Sequence, residues 1–278
     1  MGPGTTNLME RVEHLVQEVS AAVIEPRFSA LRSGDVRFKS PGEVVTVADE
    51  EAEALMERSL RDILPGTPVI GEEGSSLDPS QLAAIGRDRV WLVDPIDGTA
   101  NFVAGRPDWA VMVALVDEGT TVASWIWRPV DEVMYLAELG QGAFRNGAPF
   151  RRTLPTPPIG DMRGAVLTRF LEKDVASRID GNRHRFGQVG AGRVCAGVDY
   201  PAIIEGDQEF VLFWRTHPWD HAPGILLLSE GGGVGRRLDG TPYEPTQQTA
   251  GLLAASSPAA WDIASAGLLA STDSHSPG

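Results

Sequence analysis

Cysteine is nearly absent: Cys195 is the only one in 278 residues, which excludes an internal disulfide and suits a reducing compartment. With no Cys/His ligand set around it, Cys195 reads as a buried small residue rather than a nucleophile. Basic residues are also scarce. Lys and Arg number 24 against 38 Asp and Glu, giving a net charge of 24 − 38 = −14. That balance argues against a nucleic acid polymer or an anionic membrane as partner. Long apolar runs are missing too, since the stretch from Trp109 to Val116 falls far short of the ~20 residues a bilayer span needs. The opening MGPGTTN has neither a basic start nor an apolar stretch and does not read as a secretory signal. It matches the loose myristoylation pattern through Thr6, but with Pro3 as an unfavourable neighbour. No internal repeat or extended low-complexity segment is present. The expectation is a cytoplasmic globular chain with a large core.

What the chain does have is acid at element boundaries. Trp91-Leu92-Val93-Asp94-Pro95-Ile96-Asp97-Gly98-Thr99 is an apolar strand ending in two carboxylates, with a Gly-Thr pair following at once. Carboxylates at a strand end are costly to leave unpaired, so they point to water or a cation. Hard divalent cations such as Mg²⁺ take oxygen ligands and keep waters for substrate phosphates. Gly98 and Thr99 offer backbone N–H groups where a helix or turn begins, which suits an anion. The same residue types also build ordinary turns. Three further clusters share the pattern: Glu72 and Glu73 after Pro68-Val69-Ile70, Asp220 at the start of an apolar helical run, and Asp49 where a strand gives way to a helix.

A coarse pass sets these on elements. Asn7 and Glu10 resemble a capping box before a helix with Leu8, Val12, Leu15, Val16, Val19 and Val23 at helical spacing. Asp49 opens a second helix with Ala52, Leu55, Met56, Leu60 and Ile63 on one face. Val69-Ile70 and Val90 to Val93 read as buried strands. Trp109 to Val116, Thr121 to Trp127 and Val133 to Glu138 read as an antiparallel meander, and Asn146-Gly147 as a hairpin turn. The Pro-rich stretch Leu154 to Pro158 sets a boundary between parts 1–154 and 155–278. Beyond it come a strand at Ala165 to Thr168, a helix near Glu172 to Ile179, and an unassigned segment from Arg193 to Gly206. A helix from Asp220 to Glu230 is closed by glycines, a last one is capped by Ser257-Pro258, and the tail from Ser271 is loose.

The motifs GEE at 71–73, DPIDGT at 94–99 and PWDHAPG at 218–224, followed by Glu230-Gly231-Gly232, resemble the inositol monophosphatase family of Mg²⁺-dependent, lithium-sensitive phosphatases. The resemblance covers most of the chain. It implies an α/β fold, a layered α-β-α-β-α sandwich, and a metal-dependent phosphoric monoester hydrolase. It implies two or three Mg²⁺ ions, with Asp94 bridging two of them and Glu72, Asp97, Asp220 and the Ile96 carbonyl as further ligands. Catalytic roles fall to Asp49 and Thr99 as a water-activating pair, together with Glu72, and phosphate binding to Gly98 and Thr99. Glu73 has a less direct role. Lys39 is either near the metal loop, as a lysine is in relatives, or an ordinary surface residue. A homodimer is the default the resemblance supplies. A binding or regulatory partner of the same fold is the alternative, although such a module would need neither the four metal carboxylates nor Thr99.

The substrate is less legible. Inositol phosphatases of this family place a glutamate seven residues before the WD aspartate, against the inositol ring; here Phe213 stands there, followed by Trp214 and Arg215. Arg193 to Tyr200 also departs from the family's small-residue lining. Arg193, Phe213 and Arg215 are therefore candidate pocket residues. The substrate is expected among inositol, sugar and histidinol phosphates and phosphoadenylates, with inositol 1-phosphate not the best of them. Arg215 could grip a second anion or pair with a nearby acid. His217 and His221, flanking Asp220, read as packing groups rather than a zinc or iron site. Trp125 and Trp127 read as core or dimer contacts, and Arg236-Arg237 is too short a basic run for nucleic acid.

Overall fold

The computed structural model describes residues 3–32, 34–40, 43–247 and 249–270. The tail from Ser271 and the first two residues of the myristoylation pattern lie outside them. Helix α1 (Pro3–Val19) begins ahead of Asn7, whose side chain also lies outside the described residues. A short hairpin of β1 (Val36–Ser40) and β2 (Glu43–Thr46) then leads into α2 (Val47–Ile63). Thr46 caps α2, so Asp49 is not its opening residue but its third. The Thr46 Oγ1 accepts from Ala48 N at 3.1 Å, and Asp49 Oδ2 accepts from the Thr46 N–H at 2.8 Å, closing a capping box.

Strand β3 (Val69–Gly71), helix α3 (Glu72–Leu77), strand β4 (Arg89–Asp97) and helix α4 (Thr99–Val103) follow. The meander is β5 (Ala110–Asp117), β6 (Thr120–Arg128) and β7 (Val133–Glu138), extended by β8 (Gly142–Arg145) and β9 (Ala148–Pro149). β3 pairs parallel with β4, and every later pairing in this seven-stranded sheet is antiparallel. Asn146 (φ 47°) and Gly147 (φ 76°) both take the left-handed conformation that a two-residue hairpin turn requires. Leu154–Pro158 then carries the chain to a second sheet of β10 (Arg163–Val166), β11 (Gln188–Gly190), β12 (Phe210–Phe213), β13 (Val234–Arg237) and β14 (Leu252–Ala255), in the order β11-β10-β12-β14-β13.

The helices form three layers around the two sheets. α1 and α2 cover the outer face of the first sheet, burying Val12, Val16, Met56 and Leu60 against Trp91, Val93 and Trp125. α5 (Lys173–Asn182) and α8 (Pro258–Leu268) cover the outer face of the second, with Ser257 capping α8 through the Ala260 N–H at 3.0 Å. Between the sheets lie α6 (Ala196–Glu205) and α7 (Pro218–Glu230), in contact with both. The result is the α-β-α-β-α sandwich. α6 falls within the segment that sequence periodicity leaves unassigned, because a helix buried on all sides shows no apolar stripe.

Two features of this packing bear on the site. Against β5, the register of β4 slips between Asp94, opposite Met112, and Asp97, opposite Ala110, so three steps on one strand face two on the other. Such a bulge re-aims the side chains around it. Gly224 in α7 lies so close to Tyr200 of α6 that a Cβ there would be 2.0 Å from a ring carbon. Helix propensity alone says Gly224→Ala should stabilise by about 1 kcal/mol. Overpacking a closed core costs about 1–3 kcal/mol, and here the clash is with a fully buried ring. The expected outcome is a lower urea midpoint for Gly224→Ala, and an unchanged or raised one would show that the two central helices can move apart.

Candidate active site

Three chain segments deliver four acids to one cavity of about 310 Å³. α3 brings Glu72, the bulged end of β4 brings Asp94 and Asp97, and α7 brings Asp220, while Thr99 opens α4 beside them. Phe170, Val194, Phe213 and Arg215 line another part of the same cavity.

Each acid is oriented by neighbours of its own. Asp94 Oδ1 accepts from the Ile96 N–H at 3.0 Å. Asp97 Oδ2 accepts from the Gly197 N–H at 2.6 Å and from the Cys195 thiol at 3.1 Å. Cys195 is thus a buried donor whose pKa is pushed up by burial and by Asp97. Glu72 and Glu73 share the Lys39 ammonium at 2.7 and 2.5 Å, which places Lys39 at the site rather than on the open surface. The Thr99 hydroxyl lies 2.9 Å from the Ile96 carbonyl and 3.4 Å from Asp49 Oδ1. Gly98 holds φ 83°, and a Cβ there would meet the Asp108 carbonyl at 2.9 Å, so packing as well as approach to a ligand calls for glycine.

The electrostatics are those of an unneutralised cluster. Burial, then the charges of Glu72, Asp97 and Asp220, hold the Asp94 carboxyl well above its usual range. Asp220 is raised likewise, by burial and then by the charges of Asp97 and Glu72. Burial lifts Asp97 to about 6 and Asp49 to about 7, against the hydrogen bonds that favour their charged forms. Glu73 rises to about 8 through burial and then Glu72. Among the described residues, Asp94, Asp97 and Asp220 have no Lys, Arg or His in salt-bridge contact. An all-oxygen, buried, mutually repelling donor set fits a hard divalent cation. The donors are gathered but not closed: among the described residues no three His, Cys, Asp or Glu side chains are placed tightly enough to enclose an ion.

The two histidines beside Asp220 are otherwise engaged. His221 Nε2 donates to the Arg215 carbonyl at 2.9 Å while its Nδ1 accepts from the Tyr200 hydroxyl at 2.8 Å. His217 Nε2 accepts from Arg215 Nη2 at 2.8 Å, and its ring stacks on Trp219. Burial keeps both neutral, at about 4 for His217 and about 3 for His221. Arg215 pairs with Glu43 and lies 4.3 Å over the Phe170 ring. The Arg193 side chain is not in the main cavity. It faces Asp108 at 3.5 Å, beside a smaller polar cavity of about 170 Å³. Trp125 and Trp127 are core, and Arg237 is buried against the Thr249 and Gln247 carbonyls.

Three supporting residues carry no sequence signal. Glu53 of α2 accepts from the backbone N–H groups of Glu73 and Gly74 at 2.8 and 2.7 Å, holding the start of α3. A Cβ on Gly71 would run into that carboxylate, at 2.1 Å from its carbon. Asn101 Nδ2 bridges the Asp108 and Arg193 carbonyls at 2.7 and 2.9 Å, and Asp199 accepts from the Arg193 N–H at 3.1 Å.

The profile of the inositol monophosphatase family matches residues 7–275. The chain belongs to that family. It is accordingly a phosphatase, a hydrolase of phosphoric esters. An inositol-1-monophosphatase SuhB of Mycobacterium tuberculosis is 32% identical over 238 residues, covering 79% of this chain and 80% of the relative. A fructose-1,6-bisphosphatase/inositol-1-monophosphatase of Thermotoga maritima is 32% identical over 203 residues, covering 69% and 70%. In fold, the phosphatase is similar to the extragenic suppressor protein SuhB of Bartonella henselae, with a TM-score of 0.79 at 22% identity over 96% of this chain and 98% of that one. Among the described residues, no helix is long and apolar enough to cross a membrane.

Proposed function

We propose that this phosphatase hydrolyses a small phosphate monoester with the help of two or three Mg²⁺ ions. Glu72, Asp94, Asp97, Asp220 and the Ile96 carbonyl would hold them, with Asp94 shared. The observation that carries the reading is the convergence of four carboxylates from three elements on one cavity, three of them, among the described residues, without a salt-bridge partner. When bound, the ions would neutralise the phosphate, activate the attacking water and stabilise the leaving oxygen. The chain's own residues do the rest. Thr99, placed between Asp49 and the Ile96 carbonyl, can orient a water and pass its proton towards the Asp49 carboxylate. Asp49 near 7 is suited to receive it. The Gly98 and Thr99 amides, in the cavity lining, would bind the phosphate. Lys39 offsets the charge of Glu72 and Glu73 at the cavity edge. Lithium sensitivity, a homodimer and a cytoplasmic setting belong to the same reading.

The test is a panel of phosphate monoesters with Mg²⁺ or with a chelator. Turnover that needs Mg²⁺ is expected, and equal turnover in chelator would end the reading. A second outcome follows from the titrations. Asp49, Asp97 and Glu73 have folded-state values near 7, 6 and 8, above their ordinary carboxyl range. The folded state therefore holds protons that the unfolded chain has already released. The stability these groups contribute is complete at the acid end and is lost as pH rises from about 4 to about 8. A divalent cation held by Asp97 and its neighbouring acids would favour the charged forms and release those protons. Without metal the melting temperature should fall between pH 5 and pH 8, and Mg²⁺ should raise it more at pH 8. Saturation near 100 Kd would contribute about 2.7 kcal/mol. A Mg²⁺ shift equal at both pH values, or absent, would count against a metal site among these acids.

A further inference from the structure

The loop entering α6 carries a conformational anomaly that faces the cavity. Val194 has φ 57° and is 48% exposed. A β-branched residue in the left-handed region is an outlier that persists only where its surroundings fix it. They do so here. Asp199 accepts from the Arg193 N–H, Asn101 Nδ2 donates to the Arg193 carbonyl, and the Cys195 thiol on the other side donates to Asp97. A turn that only had to close would be met by glycine, as it is at Gly192, φ 73°. Valine puts a branched hydrocarbon on the cavity wall instead. Two more apolar groups line the same cavity: Phe170, 40% exposed, from the loop after β10, and Phe213 at the end of β12. The Arg215 guanidinium, satisfied by Glu43 and His217, lies against Phe170.

We propose that Val194, Phe170 and Phe213 form an apolar wall by which the site prefers phosphate esters of alcohols presenting a hydrocarbon or aromatic face over esters of polyols. This deepens the phosphomonoesterase reading and rests on it. None of the three side chains can accept or donate a hydrogen bond. Ring hydroxyls of a polyol pressed against them would lose water with no partner in return. A flat hydrocarbon face loses nothing there and gains contact. Thr168 and Arg169 also line the cavity, so polar groups remain beside the wall. Discrimination by such a wall is moderate, because one methylene's worth of contact changes kcat/KM by about 10–200-fold.

The experiment measures kcat and KM with Mg²⁺ for benzyl phosphate, glycerol 2-phosphate and myo-inositol 1-phosphate, whose leaving groups are all alkoxides. The intact protein should rank benzyl phosphate first by at least roughly tenfold in kcat/KM. Val194→Gly keeps the turn, since glycine adopts φ 57° freely, and removes the branched wall. It should raise kcat/KM for inositol 1-phosphate and lower it for benzyl phosphate, so that the ratio moves by roughly tenfold or more. Phe170→Ala, at an exposed position, should raise KM for benzyl phosphate by a larger factor than KM for glycerol 2-phosphate. If inositol 1-phosphate ranks first, or if Val194→Gly changes all three esters alike, the wall is not the selector. If none of the three is hydrolysed, the phosphomonoesterase reading falls first and this inference falls with it.

Discussion

Asp94→Asn should abolish most of the phosphatase activity while making the metal-free protein more stable. Asp94 is fully buried, and burial together with Glu72, Asp97 and Asp220 holds its carboxyl far above the usual range. An amide of the same shape carries no charge to bury and keeps an oxygen for the Ile96 N–H. In chelator at pH 8 the melting temperature of the variant should therefore rise. Activity runs the other way. Asp94 is the proposed shared ligand, so its loss removes charge and bridging together. A fall of roughly 10³-fold or more in kcat/KM is expected, beyond the 10–100-fold typical of losing a group that merely supports a ligand. The Mg²⁺-induced rise in melting temperature should shrink in parallel. Activity retained without added metal, or a melting temperature that drops in chelator, would each contradict the account of Asp94 as an acid kept in place for a cation.

That tension between burial and function explains how much of the site could be read from the chain. Asp94, Asp97, Glu72 and Asp220 stand out in the sequence because acids beside apolar strand and helix residues violate the pattern of a core. A local violation of that kind marks a functional position. Glu53, Asn101 and Asp199 violate nothing. Glu53 occupies an ordinary helical position, and only the fold reveals that its carboxylate reaches backbone amides 20 and 21 residues away. The meander was legible from its alternation and from Asn146-Gly147. Of the β1–β2 hairpin only the strand that leads to Asp49 was legible, since β1 mixes Arg37 and Lys39 with Val36 and Phe38. Val194 lies beyond sequence reading altogether, because no composition rule signals a left-handed valine; its backbone angle is imposed by Asp199 and Asn101 from other elements. Arg193 shows the converse error of adjacency. It neighbours the pocket in sequence, yet its side chain turns to Asp108.

Asp49 and Thr46 provide the second large expected effect, since one capping box serves both the fold and the chemistry. Asp49 Oδ2 takes the backbone N–H and the hydroxyl of Thr46, while Oδ1 faces the Thr99 hydroxyl. The two oxygens thus divide the labour. Thr46→Ala removes the acceptor for the Ala48 N–H and one donor to Oδ2, but leaves Oδ1 and Thr99 in place. It should cost about 1 kcal/mol of stability, the usual value of a helix cap, and change kcat only slightly. Asp49→Asn inverts the balance. The amide oxygen can still receive the Thr46 N–H, so α2 stays largely capped. Its NH₂ then faces the Thr99 hydroxyl, and an acceptor becomes a donor. The Thr99 proton keeps only the Ile96 carbonyl as a partner, and nothing at Asp49 can receive a proton from the attacking water. A fall in kcat of about 10²–10⁴-fold is expected, the range of a lost general base, with the metal-free melting temperature unchanged or raised because a buried charge is gone. Measuring kcat and melting temperature for both variants separates the roles. If Thr46→Ala loses as much activity as Asp49→Asn, the acid serves only to hold the helix, and the water-orienting role of Thr99 loses its support.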